Sequence, residues 1–209
     1  MEISRSSKPM LKNEFSVSVD NIIKLFKKHK VYVFGYGSLM YPEGWTGRQM
    51  AEPPRAFVIA DLNNFERGPF GLFGVHNFYG IIRTKGKNLN GVVAQIKSPA
   101  DYYHLMLSEY VVGLHTFANY RVVDITDEIK IDLPNNAVVH TVVNRPINRV
   151  KILTSFPAPG YYNSVIRSIK SYHEEKTIQD FLASGGFESR DEVSRYLERG
   201  GDVNIPGRR

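Results

Sequence analysis

The residues best suited to chemistry in this chain are Gly35, Tyr36, Gly37 and Ser38, which directly follow the strand-like run Val31-Tyr32-Val33-Phe34. Two glycines straight after a strand let backbone amides come close to a small oxygen-bearing group without a Cβ in the way. A dinucleotide cradle would need a third glycine where Met40 stands and a helix opening at Ser38, which Pro42 and Gly44 oppose. No G-K-[ST] triplet is present. Ser38 also lacks the flanks of a nucleophile elbow, because Tyr36 and Met40 occupy the positions that need glycine. The six histidines show neither H-x-x-x-H nor H-E-x-x-H spacing and there is no cysteine, so a metal site is not expected. The loop remains a sharp turn or a backbone cradle built to hold something.

Glu109 is the second candidate, and a helix has to place it. Ser98 as N-cap, Pro99 at the first helical position and Asp101 in the first turn predict a helix over 98–111. Tyr103, Met106, Leu107, Tyr110 and Val111 follow the helical period and are expected to face the core. Asp101, His104 and Ser108 share the polar side, whereas Glu109 projects beside Leu105, Met106 and Tyr102. Two readings stay open: an edge glutamate with a packed stem and a wet head, or a carboxylate in a half-dry pocket, suited to taking up and returning a proton.

The elements that must position these groups are mostly strands. Runs at 31–36, 55–62, 78–84, 91–96, 118–126 and 137–144 are short and rich in Val, Ile and aromatics. "RTKGKNLNG" (83–91) and "LPNNA" (133–137) read as turns, the first as a hairpin. Residues 1–15 read as a flexible lead-in, followed by a helix capped by Ser18 with Ile22, Ile23, Leu25 and Phe26 as its apolar stripe. A long helix is expected over 159–183, with Tyr162, Val165, Ile166, Ile169 and Tyr172 inward, and a short one after Ser189 at capping-box spacing from Glu192. The end, DVNIPGRR, reads as a tail. Without regular strand–helix alternation, the pattern predicts an α+β domain: a small mixed β-barrel of about six strands with flanking helices.

The 209 residues carry a net charge of +6, and seven Lys/Arg against three acids put +4 of it in residues 1–30. This reads as the solvated face of one helix rather than a polyanion site, so nucleic acid is not the expected partner, with binding of nucleic acid or an acidic partner by that helix as the competing reading. No run is apolar and long enough to span a membrane, and the start lacks an apolar signal core, so a cytoplasmic protein is expected.

"FGYGSLM" (34–40), a glutamate near the end of a helix, "NYRVVDI" (119–125) and "PGYYNSVIRSIKSY" (159–172) together resemble the gamma-glutamylcyclotransferase family. The form G-Y-G-S-L-M is closest to its ChaC-type, glutathione-degrading branch. "RAFVIADLNNF" (55–65) is similar to that family's second strand. The resemblance covers residues 31–183, leaving 1–30 as lead-in and helix and 184–209 as a short helix and tail. It implies a reaction without metal or cofactor, in which a gamma-glutamyl compound closes to 5-oxoproline and frees an amine, amino acid or dipeptide. On that resemblance Tyr36, Gly37, Ser38 and Leu39 hold the small gamma-glutamyl substrate through backbone N–H groups. Glu109 is the acid/base and Tyr120 a pocket-lining hydroxyl. Leu105, Met106 and Tyr110 depart from the family's usual residues around the glutamate, so a silent barrel that only binds a small molecule or partner is the alternative. "FERGPFGLFGVHNF" (65–78) reads as an insertion that could act as a lid. Oligomeric state is not legible.

Overall fold

Alternate residues of the strand Lys30–Gly35 (β2) point to opposite sides of a sheet. Val31 and Val33 enter a core shared with helices, while Tyr32 and Phe34 enter one lined by strands. A computed structural model describes residues 13–109, 111, 120–144, 152 and 154–199. Besides β2, its strands are Glu14–Phe15 (β1), Val58–Phe73 (β3), His76–Ile96 (β4), Tyr120–Asp124 (β5), Ile129–Lys130 (β6), Ala137–Asn144 (β7) and Phe156–Pro157 (β8). They form one sheet in the order β1-β5-β7-β2-β4-β3-β6, with β8 beside β4. The β2–β7 and β4–β8 pairs are parallel and the others antiparallel, so the sheet is mixed as expected.

Phe34, Leu62, Phe65, Ile81, Val93, Val123 and Val143 come from five strands and pack on one another. A sheet face that buries its residues against itself must curl, which gives a half-barrel rather than a flat layer. The opposite face is covered by Val19–Lys28 (α1) and Pro99–Ser108 (α3), with Ile22, Tyr102, Leu105 and Met106 buried against Val31, Val33 and Val92. A second helical cluster joins Tyr161–Tyr172 (α4), Glu175–Ala183 (α5) and Arg190–Glu198 (α6) around Tyr79, Tyr162, Phe181 and Phe187. Arg67, fully buried in β3, donates to the Phe181 carbonyl and the Ser184 hydroxyl and so ties β3 to the end of α5. No helix among the described residues is long and apolar enough to cross a membrane.

Several expectations need correction. The runs at 78–84 and 91–96 are one strand, and residues 83–91 do not reverse the chain. β3 is long enough to pair with both, and the register slips between Asn63 and Phe65, where β4 steps from Asn88 to Arg83. Asn64 adopts φ +63° there and accepts a hydrogen bond from Gly86 N–H. Residues 65–78 are the far end of the same ladder; it turns at Gly74–Val75, Gly74 having φ +61°. The helix expected over 159–183 is two helices, because His173 turns extended and its Nε2 meets the Met40 carbonyl at 2.5 Å. Tyr172, expected inward, is exposed. The buried face of α3 is Tyr102, Leu105 and Met106 together with Asp101, while Leu107 faces out. Asp101 can be buried because its carboxylate accepts from the Ser98 hydroxyl at 2.9 Å and from Ala51 N–H at 2.6 Å. Within the expected lead-in, Glu14 and Phe15 pair with β5. The tail after 199 and residues 1–12 lie outside the described residues.

His140 on β7 is buried, with its Nδ1 2.6 Å from the Tyr102 hydroxyl and its ring 4.7 Å from Phe15. Burial pushes its pKa from 6.5 down to about 4, with Asp124 opposing and His29 reinforcing the shift. As pH falls through the unfolded value the unfolded chain binds a proton that the folded chain refuses until about 4. Stability therefore falls across that window, by ~3 kcal/mol in full, and levels off below it. Urea unfolding between about pH 7 and 4 should show this slope, and His140→Gln should flatten it. An unchanged slope in the variant would remove the assignment.

Candidate functional site

The cradle begins where β2 ends. Tyr36 is extended, and Gly37–Met40 form one 3₁₀ turn before the short helix Pro42–Thr46 (α2). Gly37 holds φ +67°, a conformation that side chains with a Cβ resist. A methyl on it would lie 3.1 Å from Tyr79 Cβ and 3.3 Å from the Tyr161 hydroxyl. The turn is pinned from behind: Trp45, fully buried, donates its Nε1–H to the Leu39 carbonyl at 2.7 Å, and Thr141 Oγ1 donates to the Phe34 carbonyl at 3.0 Å. The first amides of such a turn have no acceptor within it.

A cavity of about 810 Å³ opens in front of this turn. Tyr36, Ser38, Glu109 and Tyr120 line it, so four of the residues singled out from sequence share one space although their elements are far apart in the chain. Gly37 lies between Tyr36 and Ser38 in the chain but is not among the lining residues. Leu39 does not face the cavity: its side chain packs in the core with Val33 and Trp45. Tyr120, at the start of β5, brings its hydroxyl over Gly71 so closely that a Cβ there would overlap it.

Glu109 is the C-cap of α3, with its N–H bonded to the Leu105 carbonyl at 3.0 Å. A carboxylate at a helix C-terminus sits against the negative end of the dipole. Arg48 offsets this: its Nη2 lies 2.6 Å from Glu109 Oε1 and donates to Ser38 Oγ at 3.1 Å. One guanidinium nitrogen thus joins the glutamate to the cradle. Glu109 raises the Arg48 pKa further above its ordinary value, so Arg48 is a permanent cation. The apolar neighbours expected for Glu109 are only part of its surroundings. Arg48 escaped the sequence reading because nothing periodic links it to Ser38 or Glu109; α2 folds it back across the loop.

Besides Glu43, His76, Ser108, Ser164 and Ser168, the remaining polar side chains of the wall are phenols. Burial, and after it Tyr120 and Glu109, raises the Tyr36 pKa well above the ordinary tyrosine value; its hydroxyl donates to the Val142 carbonyl at 2.5 Å. Burial and then Glu109 likewise raise Tyr161. Both stay neutral at any physiological pH, and the single Tyr36 proton is held by the Val142 carbonyl. Tyr161, also missed, opens α4, whose N-cap Gly160 supplies no side-chain acceptor. The sequence signal for it was "PGYY": Tyr162 enters the core, which turns its neighbour toward the cavity.

No protein-family model matches the chain, and no curated protein matches its sequence significantly. Solved structures do match its fold. One named gamma-glutamyl cyclotransferase is 14% identical with a TM-score of 0.53, covering 81% of this chain and 99% of its own. An uncharacterized protein from Homo sapiens is 17% identical with a TM-score of 0.53, covering 82% and 97%. YkqA from Bacillus subtilis is 15% identical with a TM-score of 0.52, covering 78% and 57%. The curled mixed sheet with its flanking helices is therefore the gamma-glutamyl cyclotransferase-like fold.

Proposed function

We propose that the protein is a cyclotransferase that converts a gamma-glutamyl amide to 5-oxoproline and a free amine, with Glu109 as the general acid/base. The observation that carries the reading is the Glu109–Arg48–Ser38 contact, which sets a carboxylate beside the glycine turn in one cavity. The G-Y-G-S-L-M form supports a place near the ChaC-type branch.

The substrate carries its α-amine and its γ-carbonyl in one molecule, and orienting such groups is equivalent to about 10⁵–10⁸ M. The amine nitrogen attacks the γ-carbonyl carbon, closing a five-membered ring, and the bond from that carbon to the leaving nitrogen breaks. Glu109 takes the proton from the amine and returns it to the leaving nitrogen. With an amine pKa near ~8, only about a tenth of the substrate is neutral at pH 7, so a local base matters. Amides of the Gly37–Leu39 turn and the neutral phenol of Tyr161 supply donors for the oxyanion. In the free protein Arg48 engages Glu109; the substrate's α-carboxylate competes for this cation and releases Glu109 beside the amine.

Purified full-length protein incubated with a panel of gamma-glutamyl amides, amino acids and glutathione should release 5-oxoproline, followed by mass spectrometry. No lactam from any member would end the cyclotransferase reading. The tight Arg48–Glu109 pair favours a second reading, a silent barrel that captures a small carboxylate at Arg48. Saturable binding of the same panel without product would select it.

A further inference from the structure

Asn144 ends β7 with its side chain only 2% exposed. Among the described residues, neither its Oδ1 nor its Nδ2 has a hydrogen-bond partner. Polar side chains elsewhere in the core are satisfied: Asn77 accepts from Tyr162 and donates to Ser155, and Thr141 donates to the Phe34 carbonyl. A buried amide without partners lowers stability, so its presence calls for a reason other than packing.

Its surroundings supply one. Asn144 and Tyr120 are direct partners in the β5–β7 ladder, so both side chains leave the same face of the sheet. Tyr120 lines the cavity. Its hydroxyl packs over Gly71 and the Asn144 amide packs over Gly80; a Cβ on either glycine would overlap the group above it. The two glycines adjoin where the β3–β4 register slips, Gly71 N lying 2.6 Å from where a Cβ of Gly80 would stand. Two bare positions thus seat an amide and a phenol side by side at the cavity wall.

The two groups are chemically matched. A phenol oxygen can accept one hydrogen bond while its own proton is donated elsewhere. An N–H from Asn144 on the Tyr120 oxygen leaves the phenol proton for the cavity side. The terminal torsion of an asparagine is soft, so the amide can swing toward Tyr120 at little cost.

Resting on the cyclotransferase reading, we infer that Asn144 is a positioning residue. When a γ-glutamyl group fills the cavity, the Asn144 amide donates to the Tyr120 hydroxyl and aims the phenol proton at that group. The free protein carries the unpaired amide at the expense of stability.

The test is a double-mutant cycle on the full chain. Its readout is 5-oxoproline release from whichever of the γ-methylamide of glutamate, γ-glutamylglycine and glutathione turns over fastest. Asn144→Leu copies the branched outline of the amide without its polar atoms. It should melt about 2–4 °C above the native chain while kcat falls about 10-fold, the loss of one aimed hydrogen bond. Tyr120→Phe should cost at least as much. The double variant should be no slower than Tyr120→Phe alone, because without the hydroxyl there is nothing to aim. Asn144→Ala drops the amide without requiring leucine to fit, and should show the same coupling. Losses that multiply, whatever the melting temperature, or native kcat in Asn144→Leu overturn the inference and leave the cyclotransferase reading intact. If the native chain releases no lactam from any of the three, the cycle is read as calorimetric binding of the one held tightest. Coupled losses of affinity then sustain the positioning role while ending the cyclotransferase reading. Independent losses, or no binding, overturn it.

Discussion

Glu109→Gln is expected to lower kcat for 5-oxoproline release by about 10²–10⁴-fold, the range that a positioned general acid/base supplies. The amide keeps the shape of the carboxylate and can still accept a hydrogen bond from Arg48, but it cannot take a proton from the substrate amine. The fold should survive. Glu109 closes α3 through its backbone, and its side-chain pair is about one-fifth exposed, so its loss costs at most ~1 kcal/mol. Thermal unfolding beside single-turnover kinetics separates the two effects: an intact melting transition with a collapsed rate is the expected pair. Native turnover in this variant would refute the assigned role.

Arg48→Gln should act chiefly on substrate capture, raising KM and lowering kcat/KM by about 10–100-fold, the loss of one charge-assisted contact of ~1.5–3 kcal/mol. Arg48 bridges Ser38 Oγ and Glu109 Oε1 through a single nitrogen in the free protein, and because bound substrate already releases Glu109 from it, kcat should change little. Arg48→Lys retains the charge but not the fork, and should recover only part of the loss. Steady-state kinetics with the γ-methylamide of glutamate reads the split between kcat and KM. An unchanged KM in Arg48→Gln would show that the guanidinium does not receive the α-carboxylate.

Much of the local structure was legible because its causes are local. Ser18, Ser98 and Ser189 cap helices by accepting from Asn21, Asp101 and Glu192 N–H, as their spacing predicts. Ala137–Asn144 and Tyr120–Asp124 are strands where β-branched residues cluster. Errors arose where a long-range contact outweighed a local preference. The helix over 159–183 breaks because Met40, far back in the chain, receives His173. The inward face of α3 is rotated because Ala51 satisfies Asp101. The β4 runs merge because one long partner strand spans both.

By itself the sequence determined the class of the fold, the helix starts, the glycine turn at 35–38 and the candidacy of Glu109, all of which depend on side-chain type and short-range spacing. Only the tertiary structure decided which cation meets Glu109, that Leu39 turns into the core, and that the 65–78 segment walls the cavity with aromatic rings. Those outcomes follow from how a curling sheet brings distant strands and helices together, and no pattern within a few residues encodes such a meeting.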